Sequence, residues 1–486
     1  MGTFNGNING GRFAFRGKEK RKRHTNAGLQ ILISLLLLVD LFFVYTMIMQ
    51  LTNQQKVFEA SQTVNAALLA VFVIVAAFLI WAMLRTAAWK RTLCVFLIFA
   101  ILYLIVAFSE IPFVKKYREI WISTAMATMR HQGLATYYFP ASVVEERMAI
   151  EKAARDAQVG ENTVDTFTND ADEHTWIEPE NAHGLAVQDG QFDTLTDEQK
   201  DFYSLFYELD RDSAEEYFRM HPDVIQNGYA HILIDEAGLS SEGTSIRTKL
   251  GEKVLAIDVD NQILIIEVDC DGSRGAMAIA KLPSHLRLCP AAKLPYYGEV
   301  ADSIAKRNHS ILAMTGSAFI DEGGVGNGGE LAGWAMCSGK PFGNHYGWGY
   351  KRLELHENDW FYIADAFAPV GSGTTDAIEF QPALIINGKK QNIGIWVDAN
   401  PRACIGQSER GEILMLCVEG RRLDSPGCSV GVCADVMLQH DAITALNCDG
   451  GTTAMLWYRG GPVIRCSNSR IPQGRYLPNA WVYEGD

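Results

Sequence analysis

Near the C-terminus, Asp449 is followed directly by Gly450 and Gly451. Glycines let a backbone turn sharply and bring N–H groups close to a ligand. A carboxylate at such a bend can act as nucleophile or general base; the same tripeptide also suits an aspartate that caps a tight turn. Arg402 and Arg475 carry guanidinium forks that match phosphate oxygens bidentately, and each equally suits a surface or structural ion pair. Thr453 can orient Asp449 or bond a substrate, or sit in a strand. Asn479, which follows Pro478, can bind a hydroxyl or make a turn. The glycine-rich loop 323–329 can cradle an anion but lacks the Gly-Lys-Ser/Thr ending of a nucleotide loop, so nucleoside triphosphates are excluded. His345, Tyr346 and Trp348 lie in another glycine-rich stretch, where they can stack on sugar rings or pack within the loop.

These residues must be positioned by strands. From about Gly228 the pattern is one of short apolar runs separated by turns. Val254–Val259, a turn at Asp260-Asn261 and Ile263–Val268 predict a hairpin. Further strands are expected at 276–280, 311–314, 353–355, 383–386, 413–418, 442–446 and 455–457. Helices are expected at Val300 to Ala305, by the spacing of its apolar residues, and over 429–439. Regular helices do not separate most of the strands, so the expected class is α+β with mixed sheets. Ahead of this domain, residues 115–153 predict helix. The acidic stretch from Val159 to Glu180 reads as a linker or stalk, because it cannot bury a core. Thr196 and Gln199 predict a capping box, and a second short helix is expected from Asp212 to His221, before Pro222.

The first quarter of the chain is different. Apolar runs at about 27–49, 64–84 and 92–108 are long enough to cross a bilayer, the third only just. The first is too long for a signal-peptide core and lacks a small-residue cleavage site. Arg12, Arg16, Lys18, Lys20, Arg21, Lys22 and Arg23 precede the first run, and Arg85, Lys90 and Arg91 lie between the second and third. The positive-inside rule then places the N-terminus in the cytoplasm and everything after Val114 outside it. Asp40 lies within the first run, where a carboxylate is costly; with no second acidic residue deep in the runs, the region reads as an anchor rather than a transporter. The expected organisation is a basic cytoplasmic tail (1–26), three transmembrane helices (27–114), a juxtamembrane helix, acidic linker and short helices (115–227), and a C-terminal domain (228–486), in a multi-pass plasma-membrane protein.

Of the 486 residues, those from 115 onward hold 32 Lys+Arg against 53 Asp+Glu. That surplus argues against a nucleic-acid partner, which would need the opposite sign. Nine of the ten cysteines lie in the same part. An odd number leaves at least one unpaired, and their apolar positions predict few disulfides. Their spacing gives no paired zinc pattern, and neither metal nor cofactor is expected.

Several segments occur together in an order that carries more information than any one of them. Asn400 to Gly406 precedes a strand and then Glu419-Gly420-Arg421. A helix follows, then Ala445 to Thr453 and Arg475 to Asn479. Upstream lie Ala313 to Phe319 and Pro382 to Gly388. Over roughly residues 250–486 this resembles the phosphodiester glycosidase family, of the N-acetylglucosamine-1-phosphodiester alpha-N-acetylglucosaminidase (uncovering-enzyme) type, with membrane-anchored bacterial members nearest in architecture. The chain departs from the family pattern at Thr315, where Asn is usual, at Cys404, where Thr is usual, and at Thr452, where a third Gly is usual. The resemblance implies hydrolysis of a sugar-1-phosphodiester in a cell-envelope or exopolysaccharide glycan. It implies Asp449 as the carboxylate acting at the anomeric carbon, with Arg402 as a catalytic clamp. Arg475, Thr453, Gly450, Gly451, Asn479, Thr315 and Gly316 are implied to hold the substrate. Because a phosphodiester leaves without full protonation, one carboxylate with cationic clamps can suffice where most glycosidases use two. The alternative is a non-catalytic, membrane-tethered module that binds anionic envelope polysaccharide during its assembly.

Overall fold

The computed structural model describes residues 27–53, 57–58, 60–86, 88–128, 131–161, 195–235, 244–345, 350–394 and 396–485. The basic tail, most of the expected acidic linker, Tyr346 and Trp348 lie outside the described residues. The chain divides into two compact units, one of residues 1–54 and 58–106, the other essentially from Ala107 onward.

In the first unit, three helices are long and apolar enough to cross a membrane: Ala27–Asn53, Gln62–Arg85 and Trp89–Phe108, with mean hydropathy 2.5, 2.9 and 2.5. At 27, 24 and 20 residues they meet the length that the hydrocarbon core demands. Several of their polar side chains bond within the bundle, as an apolar surround favours, while Asp40 Oδ2 and Asn65 Oδ1 are buried with no hydrogen-bond partner among the described residues. Gln30 Nε2 donates to the Thr86 carbonyl at 2.9 Å, and the Ser34 and Thr92 hydroxyls lie 2.9 Å apart. Ser61 caps the second helix by accepting from Val64 N.

The second unit opens with helices Pro112–Met126, Gly133–Thr136 and Ala141–Glu161. Ile122, Ala125, Ala135 and Val144 pack them together. The last of these helices runs past Val159, where the linker was expected to begin. Three sheets follow. The largest has nine strands, centred on Ile263–Cys270, Ser273–Ala280, Ile413–Val418, Arg402–Ser408 and Ala442–Asn447, in that spatial order. A five-stranded sheet is built around Lys351–His356 and Thr374–Phe380. Another is built around Ser310–Thr315 and Asn479–Glu484. The α+β class stands, but every strand pairing among the described residues is antiparallel rather than mixed. Short connections suffice for antiparallel neighbours, whereas parallel ones need a long crossover.

The large sheet is covered on both faces, and its alternating side chains divide accordingly. Leu264, Ile266, Leu414, Leu416 and Cys404 join one core with Val430, Ala434 and Met437 of the helix Val430–Gln439. Ile263, Ile265, Ile413, Met415 and Ile405 join a second core with Leu312, Met314, Leu353 and Trp481 of the smaller sheets. Two-sided burial explains why these strands read as unbroken apolar runs instead of alternating ones.

The short helices Asp197–Leu205 and Arg211–Met220 belong to this domain as well. Thr196 and Gln199 form the expected capping box, and Asp210 caps the second helix by accepting from Ser213 N at 2.9 Å. Phe202, Phe206 and Phe218 enter the first core beside Ile232, Val254 and Ile257. The packed domain therefore begins well before residue 228.

Candidate functional site

Strands Arg402–Ser408 and Ala442–Asn447 run side by side, with Cys404 opposite Asn447. This pairing carries the chain to Asp449 at the end of the sheet where Arg402 begins its strand. Cys448 N donates to the Ala403 carbonyl at 2.7 Å and Asp449 N to the Gly316 carbonyl at 3.3 Å, so the bend is anchored to two sheets. Gly451 then takes a φ of +66° and donates its N–H to the Pro401 carbonyl at 2.9 Å. A side chain there would meet the Arg421 guanidinium at 3.2 Å, and its left-handed backbone disfavours any residue with a Cβ. Glycine is thus required by both conformation and space.

Asp449 itself is only partly covered, yet its carboxyl is pushed up to about 7 from the usual carboxylate range. Burial is the main cause; a Thr453 hydrogen bond and the Arg475 charge oppose it. A carboxylate balanced near neutrality can accept or share a proton at little cost.

The residues around it divide into a scaffold and an open rim. Thr453 is buried, and its hydroxyl bonds the Gly450 carbonyl. Thr315 is fully buried, donates to the Thr453 carbonyl at 2.5 Å and accepts from Met455 N at 3.2 Å. Asn479 is fully buried, accepts from Ser317 N at 2.7 Å and donates to the Ser317 hydroxyl at 3.0 Å. Thr315 and Asn479, expected to hold substrate, are both buried and bond within the protein, tying the end of strand Ser310–Thr315 to its neighbours. Gly316 contributes its carbonyl to Asp449 N.

Arg402, expected as a clamp, also bonds within the protein. Its guanidinium is buried and turned inward, donating to the Cys428 carbonyl at 3.0 Å, the Asp398 carbonyl at 2.7 Å and the Asp398 carboxylate at 2.8 Å. It buttresses the segment Asp398–Pro401 instead of facing an anion. Arg475 does approach Asp449, since each charge acts on the other. Asp321 holds Arg475 bidentately at 2.5 and 2.9 Å, the Gly326 carbonyl accepts from it at 2.9 Å, and Phe319 underlies it at 4.7 Å from the ring centre.

Arg421, not Arg402, lies beside the glycine bend. It is exposed, lies against Gly451 and acts electrostatically on Asp449. Asn400 Oδ1 accepts from its Nε at 3.2 Å and its Nη2 at 3.0 Å, leaving part of the fork free of Asn400. Although the residue as a whole is exposed, its guanidinium end sits among protein atoms; this desolvation, then the nearby Arg402 charge, push it below the usual value, and Asp398 and Asp449 oppose the shift. The sequence offered Arg421 only as part of the Glu419-Gly420-Arg421 segment; the pairing of Val418 with Arg402, which only the fold shows, puts both arginines at one end of the sheet.

The remaining candidates lie elsewhere. The loop 323–329 is folded on Asp321, whose carboxylate accepts from Gly326 N at 2.7 Å. It holds Arg475 instead of presenting N–H groups to an anion. His345 pairs with the buried Glu379 and stacks on Trp334 with ring centres 6.0 Å apart. None of the ten cysteines is bridged; Cys428 and Cys433 come closest among those with a described contact, at 3.6 Å between sulfurs.

A glycine-bent carboxylate within the electrostatic influence of Arg421 and Arg475, where two sheets are tied together, is the arrangement to set against known proteins. Residues 325–484 match the phosphodiester glycosidase family. That span contains Arg402, Arg421, Asp449 and Arg475, and the resemblance read from the motifs holds there. A curated relative, the SPbeta prophage-derived uncharacterized protein YomE of Bacillus subtilis, is 25% identical over 182 residues. The alignment takes in 34% of this chain but 27% of that protein, so most of the relative's length has no counterpart in it. Among solved structures, the zebrafish N-acetylglucosamine-1-phosphodiester alpha-N-acetylglucosaminidase catalytic domain, auto-inhibited by its pro-peptide, is 15% identical. It aligns with a TM-score of 0.39 over 46% of this chain and 82% of that one. A hypothetical protein from Synechocystis aligns at 14% identity and a TM-score of 0.34, over 49% and 65% of the two chains. A putative exported protein of Burkholderia pseudomallei aligns at 12% identity and 0.34, over 44% and 74%.

Proposed function

We propose that this protein is a membrane-anchored hydrolase that cleaves sugar-1-phosphodiester bonds in envelope or exopolysaccharide glycans, with its C-terminal domain outside the cytoplasm. The reading is carried by one observation: the Asp449 carboxyl, raised to about 7, lies where the charges of Arg421 and Arg475 converge. In the reaction the bond between the anomeric carbon and the phosphate oxygen breaks. The phosphate departs as a monoester anion, so no acid must protonate it, and Arg421 and Arg475 neutralise the charge that develops. Asp449 in its ionised form either attacks the anomeric carbon, with water later releasing the sugar, or takes a proton from the attacking water. Arg402, Asp398 and Asn400 keep Arg421 in place, and Asp321 does the same for Arg475.

The test uses the full-length protein in detergent micelles with an N-acetylglucosamine-1-phosphodiester. Free sugar is expected, and Asp449→Asn should reduce its release by roughly 10²–10⁴-fold while the protein stays folded by circular dichroism. Undiminished release in that variant removes Asp449 from the mechanism. Glycan binding without turnover would make the protein the tethered binding module instead. Orientation is tested by adding protease to intact cells: the C-terminal domain should be degraded and an N-terminal tag protected.

A further inference from the structure

Three tyrosines stand out on the surface of the C-terminal domain: Tyr296, Tyr297 and Tyr476 are 77, 60 and 57% exposed. Single exposed apolar residues need no explanation, but a convergent group does. Tyr297 and Tyr476 both line a cavity of about 530 Å³, with Ala292, Lys293, Gly298 and Glu299. The walls are firmly built. The amides of Tyr296 and Tyr297 bond the Lys293 carbonyl at 2.8 and 3.1 Å, and Glu299 and Leu477 exchange two backbone bonds of 2.9 Å.

The loop 323–329 joins this cavity to the candidate site. Asn327 donates to the Tyr296 carbonyl at 2.9 Å and accepts, through its own carbonyl, from Gly298 N at 3.0 Å. Gly328, at a φ of +75°, runs so close to the Tyr476 carbonyl that a Cβ would stand 2.2 Å from it. The same loop holds Arg475 through the Gly326 carbonyl, and Asp321, just before the loop, grips the same guanidinium. Consecutive residues therefore serve two places: Arg475 acts on Asp449 while Tyr476 lines the cavity.

The lining also suits one kind of occupant. Tyrosine faces pack against the C–H faces of a pyranose, and their hydroxyls remain free for its polar edge. Lys293 is exposed and has no ion pair among the described residues, so it can meet a phosphate. Glu299 is engaged by Arg307 at 3.0 Å, which offsets its charge toward an anion.

We propose that the Tyr297–Tyr476 cavity is a carbohydrate subsite, which holds a sugar ring of a phosphate-linked glycan beyond the bond that is cut. The inference rests on the function proposed above and narrows its substrate to an oligosaccharide or polymer rather than a simple glycosyl phosphodiester.

The test compares two substrates on the full-length protein: the methyl diester of N-acetylglucosamine-1-phosphate and an N-acetylglucosamine-1-phosphate linked to a trisaccharide. Tyr297→Ala and Tyr476→Ala should each raise KM for the trisaccharide substrate by roughly 10-fold, the loss of one stacked ring. Both should leave kcat, and both constants for the methyl diester, unchanged. Tyr476→Phe should keep wild-type behaviour. An equal effect on the two substrates would mean that Tyr476 merely supports Arg475, and no effect would mean an idle surface; either overturns the subsite. If the unaltered protein cuts neither substrate, the proposed reaction fails separately. The subsite is then judged by calorimetric binding of the trisaccharide diester to Asp449→Asn: binding lost in the tyrosine variants supports it, and absent or unchanged binding overturns it.

Discussion

At the scale of residues, the proposed reaction makes Asp449 the group that sets the pH dependence. Its carboxyl ionises near 7 in the folded chain against an ordinary value of 3.8, because burial disfavours the charge. A nucleophile or base must be ionised, so kcat/KM should rise with pH and level off above about 7; a profile that is flat from pH 5 to 8 would contradict this. Stability should run the other way. The raised value means that the folded state resists losing the proton, so stability is full below the unfolded value and falls as pH climbs toward 7. Asp449→Asn removes that slope and should raise Tm at pH 8 by on the order of 5 °C, as followed by thermal denaturation at pH 5 and pH 8. Arg421 and Arg402 should separate in the same way. Arg421→Ala should lower kcat/KM by roughly 10²-fold with little change in Tm, the loss of one charge-stabilising donor. Arg402→Met leaves Asp398 buried without its partner and should act mainly on stability. Equal kinetic and thermal losses in both variants would mean that neither arginine is specific to the site.

Elements position the site through their ends. Strands Ser310–Thr315 and Ala442–Asn447 end, and strand Arg402–Ser408 begins, beside one another, and backbone bonds tie Asp449 to Gly316 and Gly451 to Pro401. Asn479 is the tie between Ser317 and the strand Asn479–Glu484 that it begins. Asn479→Ala leaves the buried Ser317 N–H without an acceptor and should cost about 1–3 kcal/mol, measured by urea denaturation. If it lowers turnover with no loss of stability, Asn479 touches substrate after all. This is also the scale at which the sequence was most readable. Ile413–Val418 and Ala383–Ile386 were legible residue for residue, because strands buried on both faces are continuous apolar runs. The pairing of strands was not legible, since local pattern says nothing about which run lies beside which.

At the scale of the whole molecule, the domain is larger than its strand-rich part. Lys281, at the end of strand Ser273–Ala280, is buried between Glu208, which follows the helix Asp197–Leu205, and Glu412, 2.7 Å away. Glu412 also accepts from the Tyr207 hydroxyl at 2.9 Å. Lys281→Met strands two buried carboxylates and should destabilise the protein by about 3–5 kcal/mol. By the same contacts, a fragment from residue 228 lacks Phe202, Phe206 and Phe218 and should aggregate, while one from residue 195 should give a cooperative melting transition. Equal solubility of the two fragments would show that the short helices are an accessory.

The amino-acid order alone determined the three apolar spans, the α+β class and the place of Asp449 at a glycine bend, because hydrophobic period, helix caps and glycine-rich turns act within a few residues of chain. Its motifs also brought Arg402, Arg475 and Asn479 into view, but not what each side chain does. Only the tertiary structure turned Arg402 inward to Asp398, put Arg421 over Gly451 in its stead, and spent Asn479 and Thr315 on the scaffold. The orientation of a charged or amide side chain depends on partners that lie tens to hundreds of residues away, and those partners become neighbours only when the sheets have packed.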